Sequence, residues 1–402
     1  MSQRRAYDVI LYGASGFVGR QTVAYFAARG AGLRWALAGR NYDKLVAARH
    51  AAGPGAAQSG IVVADATDER ALVALAGDAR VVLSTAGPFA LYGSKLVAAC
   101  VARRTHYVDI TGETPWVRGL IDRHHEQAAA EGTRIIPCCG FDSVPSDLGA
   151  WMLVQHFQAS GEACAGVKAC FSLRGGINGG TLASAFNTFD AGQHAALADP
   201  WLLNPAGMRP PSGPDDDDPV APHRDTDFKA WVGPFFMGPV NTRVVRRSAA
   251  LLGYGPDFHY QEYLRFGTGA TAALAAAGFS AGISATQAAL KFAPVRALAR
   301  RLAPAPGEGP SEDSMNRGGF RCELVGHGAR GTVARAKVAA TGDPGNRATT
   351  VMVCEAALAL ARDTRHLPDA NSGGGVLTPS SGLGEALVGR LQKVGMTLAL
   401  QG

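Results

Sequence analysis

The first third of the chain alternates short, mostly apolar runs with stretches of helical length. Residues 7–12 (Tyr-Asp-Val-Ile-Leu-Tyr), 34–38, 61–64, 80–84, 106–109 and 134–137 each read as a strand buried on both faces. Between them, 17–30, 42–50, 93–103 and 116–131 read as helices. Strands that do not alternate, each followed by a helix, belong to a parallel sheet covered on both sides. The pattern predicts an α/β fold built on a Rossmann-type doubly wound parallel sheet.

After residue 165 the pattern changes. Longer strands are expected over 167–173, 242–247, 259–266, 320–326 and 332–339, separated by helices and irregular segments, which predicts a second, α+β domain. Helices over 348–362 and 384–394 close the chain. At 402 residues the chain exceeds what one ordinary core holds. The expected division is residues 1–145, 146–345 for substrate or interaction, and 346–402 as helices packing back on the first domain.

The turn after the first strand gives that domain its chemistry. It reads Gly13-Ala14-Ser15-Gly16-Phe17-Val18-Gly19. Gly13 permits a sharp turn, Gly16 lets a pyrophosphate approach the backbone, and Gly19 lets the helix pack on the strand. The helix N-terminus then offers free N–H groups to phosphate. All seven residues are expected to bind a dinucleotide. Where an NAD enzyme carries an acid to hold the ribose 2′-OH, this chain has Arg40, with Asn41 and Lys44 as further donors. A guanidinium suits a 2′-phosphate and cannot accept from a diol, so the expected cofactor is NADP(H). Asp65, at the end of the third strand, is expected near the adenine, with Asp68 capping the next helix as the alternative. Ala86, Gly87 and Pro88, at the carboxyl end of the fourth strand, are expected beneath the nicotinamide.

Catalytic candidates follow from position. Tyr92 comes just after the nicotinamide turn, and Asp142 and Ser143 leave the sixth strand at its carboxyl end; Glu113 ranks after them. Hinge and capping chemistry explains Asp142 and Ser143 equally well, with Ser143 or Ser146 as the cap. A short-chain dehydrogenase would show Tyr-x-x-x-Lys, but Tyr92-Gly93-Ser94-Lys95 is one residue short.

Composition narrows the partners. Net charge is +6 and pI about 9.0, but no dense Lys/Arg block stands out, so nucleic acid is not expected. A basic surface favours anionic cofactors, acyl-carrier proteins or anionic lipid. Seven cysteines, an odd number with no Cys-x-x-Cys, read as reduced thiols, and no signal peptide is read at the start. The expected location is cytoplasmic, with membrane association open. His124-His125-Glu126 lacks metal-site spacing, and no metal is assigned. Residues 210–227, with Asp215-Asp216-Asp217-Asp218 among prolines, read as an exposed, mobile loop. Residues 267–290 carry no charge and leave three readings: a buried or interface helix, a surface for lipid or a long acyl chain, or a membrane span. Their Gly278-Phe279-Ser280-Ala281-Gly282 matches a hydrolase elbow pattern, but no strand precedes it and it is rejected.

Taken together, the chain resembles the saccharopine-dehydrogenase-like oxidoreductases, and within them the trans-acting enoyl reductases of polyketide-lipid biosynthesis. The resemblance runs nearly end to end. It rests on the 11–19 turn, Ala38-Gly39-Arg40, Ala86-Gly87-Pro88-Phe89 and Tyr107-Val108-Asp109-Ile110-Thr111-Gly112-Glu113. Cys139-Gly140-Phe141-Asp142-Ser143-Val144-Pro145-Ser146-Asp147, Asn241-Thr242-Arg243, Gly342-Asp343-Pro344-Gly345 and Gly375-Val376-Leu377-Thr378-Pro379 complete it. It implies an NADP-dependent reductase of an α,β-unsaturated acyl thioester carried by a polyketide synthase or acyl-carrier protein; a homo-oligomer and peripheral lipid contact are expected. Two other classes stay open on sequence alone. One is an NADP oxidoreductase acting on a carbonyl, imine or amino acid. The other is a non-catalytic NADP-bound protein associated with lipid or a synthase.

Overall fold

Two seven-stranded sheets organise the molecule. The structure, a computed structural model, describes residues 5–176, 178–190, 192–210, 216–302, 307–368 and 373–401. The first stretch alternates strands and helices, with two helices between β4 and β5: β1 (Tyr7–Tyr12), α1 (Phe17–Arg29), β2 (Trp35–Gly39), α2 (Tyr42–Ala51), β3 (Gly60–Val63), α3 (Glu69–Asp78), β4 (Ala79–Ser84), α4 (Phe89–Tyr92), α5 (Ser94–Ala102), β5 (His106–Asp109), α6 (Thr114–Ala130) and β6 (Arg134–Ile136). Then α7 (Val144–Ala159) leads to β7 (Cys164–Arg174), α8 (Gly179–Asp190), β8 (His223–Asp225), β9 (Ala230–Pro234), α9 (Gly238–Leu252) and β10 (His259–Gly267). There follow α10 (Ala270–Ala289), α11 (Ala293–Leu302), α12 (Glu312–Asn316), β11 (Gly319–Gly328) and β12 (Val333–Thr341). The chain ends with α13 (Thr349–Arg362), β13 (Gly375–Val376), α14 (Pro379–Lys393) and β14 (Thr397–Gln401).

The first sheet runs β13-β6-β5-β4-β1-β2-β3, and all its pairings are parallel. From β1 the chain winds outward through β2 and β3, then returns to β4 on the other side. That reversal places a crevice at the carboxyl ends of β1 and β4. Helices on both faces explain the unbroken apolar runs: Val9, Ile10 and Leu11 are wholly buried, with α13 lying across β1, β4 and β5. The second sheet, β14-β12-β11-β7-β10-β9-β8, is mixed, with β7 and β10 parallel and the other pairs antiparallel. One hydrophobic cluster joins Val9 and Leu11 of the first sheet to Phe171 and Leu324 of the second through Leu148 and Leu358. All seven cysteines are buried and unpaired.

Several expectations are corrected here. Residues 242–247 are not a strand; they lie inside α9. Their Thr and Val content mimics a strand, but α9 is clamped between α7 and β10, where Arg243, Arg246 and Arg247 are each 1% exposed. The Arg247 Nη2 donates to the Val376 carbonyl at 2.6 Å, and Arg246 to that of Pro200 at 3.0 Å. The acidic run is not simply an exposed loop. Asp216 is buried and Asp218 pairs with Arg243, because a buried guanidinium needs a counter-charge; Asp215 lies outside the described residues. The C-terminal segment is not purely helical. It adds β13 beside β6 and β14 beside β12, and so serves both sheets. Most of residues 267–290 form α10, buried only along the stripe Ala272, Ala276 and Ser280. Among the described residues no single helix is long and apolar enough to cross a membrane.

Candidate functional site

A cleft of about 2380 Å³ opens at the carboxyl ends of the first sheet's strands and extends beneath the second sheet. Its inner end is the glycine turn. Gly13 takes φ +83°, and a Cβ there would stand 2.9 Å from the Ala86 nitrogen. A Cβ on Gly19 would stand 2.1 Å from the Gly13 carbonyl oxygen, so the close approach of α1 to β1 requires glycine. Gly16 differs: its φ is ordinary, and a Cβ would meet only the Gly13 oxygen, at 3.2 Å. The room it leaves faces the cleft. Gly13, Ser15, Gly16, Phe17 and Val18 line the cleft, while Ala14 and Gly19 sit behind the turn. Gly16 begins α1 without a capping side chain, which leaves the first N–H groups for an anion.

At the end of β2, Arg40 is exposed in the cleft and makes no hydrogen bond or ion pair among the described residues. Asn41 lines the cleft, and its Oδ1 accepts from the Lys44 backbone N–H at 2.9 Å, capping α2. Asp65 also lines the cleft; the Thr67 N–H and hydroxyl donate to it at 2.8 and 2.6 Å and hold its carboxyl below the usual range. Asp68 caps α3 through the Ala71 N–H at 3.1 Å. Beside them burial pushes the Tyr12 hydroxyl up to about 12.

Ala86, Gly87 and Pro88 form the floor further along, and the turn is tied to β1 by the Thr85 N–H donating to Tyr12 at 2.9 Å. Glu113, which also lines the cleft, holds this turn. Its two carboxylate oxygens accept from the Phe89 and Ala90 N–H groups at 2.8 and 2.9 Å, capping α4. A carboxylate fully engaged this way orients the turn.

The catalytic candidates separate. Tyr92 and Asp142 both line the cleft; Ser143 does not. Asp142 has no hydrogen-bond partner among the described residues, and burial alone pushes its carboxyl up to about 7. A Cβ on Gly112 would come within 3.7 Å of its Oδ2. Ser143 is wholly buried at the start of α7 without capping it, and its hydroxyl lies 3.4 Å from Asn241 Oδ1. The Asn241 amide donates to Glu262 Oε1 at 2.7 Å, and Ser146 and Tyr260 donate to Oε2 at 2.8 and 2.9 Å. Burial nonetheless pushes Glu262 up to about 8. Sequence reasoning did not single out Glu262, Asn241 or the holding role of Glu113. An acid inside the apolar strand Tyr260-Gln261-Glu262-Tyr263-Leu264 was the one available signal for the first.

These residues fit NADP. The uncapped helix end suits the pyrophosphate, the unpaired Arg40 the 2′-phosphate, and the small-residue turn at 85–88 the nicotinamide ribose. Comparison with known proteins agrees. Residues 9–136 match the saccharopine dehydrogenase NADP binding domain. A protein of Mycobacterium tuberculosis with the provisional name of a trans-acting enoyl reductase is 40% identical over 98% of this chain and 97% of its own length. A trans-acting enoyl reductase of Mycobacterium bovis is 37% identical, again over 98% and 97%. The L-Glu-forming saccharopine dehydrogenase of Saccharomyces cerevisiae has the same fold, with TM-score 0.56 at 14% identity over 98% of this chain and 99% of that one. The chain therefore belongs to the trans-acting enoyl reductase family, NADP-dependent oxidoreductases built on the saccharopine dehydrogenase fold.

Proposed function

We propose that the chain reduces the α,β double bond of an acyl thioester presented in trans by a synthase or acyl-carrier protein. Its relatives over nearly their whole length are named for that reaction. Gly13, Ser15–Val18, Arg40, Asn41, Asp65 and 86–88 hold the cofactor, which supplies the hydride for the β-carbon. The chain itself must supply a proton for the α-carbon and a donor for the charge that builds on the thioester oxygen. Asp142 is the proton donor and Tyr92 the oxygen's donor.

The observation that carries this reading is the Asp142 carboxyl in the cleft wall, without a hydrogen-bond partner among the described residues and raised to about 7. A carboxyl with an ordinary value would hold no proton to give at neutral pH; this one does. The sign follows: the acid must be protonated to act, so turnover should fall as pH rises through about 7. Steady-state NADPH oxidation with an enoyl thioester, measured across that range for the native chain and Asp142→Asn, tests it. The variant should lose about 10²–10⁴-fold in kcat and with it the alkaline decline, while still binding NADPH. An unchanged rate and profile would remove Asp142 from the chemistry.

A further inference from the structure

The second helix of the α10–α11 pair faces the wrong way for a soluble protein. In α11, Val295, Leu298 and Leu302 fall at spacings of three and four and form one stripe, and Arg296 and Arg300 form another. In a surface helix the apolar stripe faces the core. Here the polar side faces inward: Arg296 Nε bonds Asp190 Oδ1 of α8 at 2.7 Å, and Arg300 pairs with the same carboxylate and sits 5.5 Å over the Phe186 ring. No residue of α11 is buried, and Leu298 and Leu302 are 58% and 79% exposed. The neighbouring helix is uncharged, exposes Leu274 at 74%, and is joined by Phe292 at 65%.

Three further features say what covers this face. Residues 266–307 contain no Asp or Glu, and their four cations are Lys291, Arg296, Arg300 and Arg301. Together the two helices have the length and hydropathy of a spanning segment, yet the chain turns by 112° between them, which suits helices lying in an interface and not crossing it. The inner edge of the same pair, at Ile283, Ser284, Gln287, Leu290 and Lys291, lines the cleft. We infer that α10 and α11 seat on the headgroup region of an anionic bilayer and turn the mouth of the cleft toward it. This rests on the acyl-thioester reading only for its purpose, which is to admit a long acyl chain directly from the lipid phase. An acidic carrier protein fits less well, because with Arg296 and Arg300 paired to Asp190 the exposed face is mostly apolar, which suits a bilayer better than a charged protein surface.

Co-sedimentation of the full chain with phosphatidylglycerol–phosphatidylcholine vesicles tests the inference without requiring turnover. The native chain should sediment with these vesicles and much less with phosphatidylcholine alone. Leu298→Glu combined with Leu302→Glu should cut the bound fraction at least tenfold, leaving NADPH affinity and melting temperature unchanged. Leu274→Glu, on the other helix, should weaken binding in the same direction. A native chain that stays in the supernatant, or variants that bind as the native chain does, would overturn the inference. So would capture of an acidic carrier protein that these variants abolish, without vesicle binding. A native chain that reduces enoyl thioesters but does not bind vesicles would refute this inference alone; one that binds vesicles but reduces no enoyl thioester would refute the proposed function alone.

Discussion

Arg40 follows β2 with its guanidinium in the cleft and unpaired among the described residues, and this makes the choice of cofactor a one-residue question. Charge-assisted hydrogen bonds to a phosphate contribute about 2 kcal/mol. Arg40→Asp removes them and sets a like charge against the phosphate, so the preference for NADPH over NADH should fall about 30-fold or reverse. Paired titrations of the native chain and the variant measure it; equal native affinity for both nucleotides would contradict the assignment. The glycines make a sharper contrast. Gly19 has the Gly13 oxygen 2.1 Å from where a Cβ would go, while Gly16 has its nearest atom at 3.2 Å. Gly19→Ala should therefore lower the melting temperature of the cofactor-free protein, by about 2 kcal/mol of stability or more. Gly16→Val should leave that temperature nearly unchanged and abolish nucleotide binding, since its methyls fill the pyrophosphate's space. A Gly16→Val protein that unfolds but, where folded, binds normally would mean the turn has another purpose.

At the scale of the element, α10 shows how far local pattern reaches. Its lack of charge is legible in the sequence, but which residues face inward is not. Ala272, Ala276 and Ser280 are buried against β9, while the equally small Ala275, Ala277 and Ala281 are exposed. With alanine on every side there is no amphipathic signal, so only tertiary packing fixes the face. Ala276→Asp should cost about 3 kcal/mol or more in stability, as an unpaired buried charge, and Leu274→Asp almost none. Melting temperatures of the two variants check this; equal effects would mean the helix packs on another face. α9 failed for the opposite reason. Three buried arginines break its apolar stripe, and their partners, Val376 and the carbonyls at 197–203, lie far away in sequence. The parallel strands were legible because burial on both faces leaves an unbroken apolar run. The glycine turn and Arg40 were legible because they are contiguous. Glu113 was not legible as the support of the nicotinamide turn, since it acts on Phe89 and Ala90 across a loop that only the fold brings together.

Over the whole molecule, the two sheets share one hydrophobic cluster, with α7 and α13 between them. The cleft is thus framed by elements that pack as a unit: the glycine turn and Arg40 at one end, Phe236 and Ile283 at the other, and Asp142 in the wall between. That arrangement leaves room for a nucleotide and a substrate bound together. The most direct test is to supply NADPH with matched enoyl and β-keto thioesters of the same chain length and to identify the product by mass. The account predicts that one NADPH is consumed for each enoyl thioester converted to its saturated form, with the keto thioester left intact. Reduction of the keto thioester with the double bond untouched, or tight NADPH binding with turnover of neither, would contradict it.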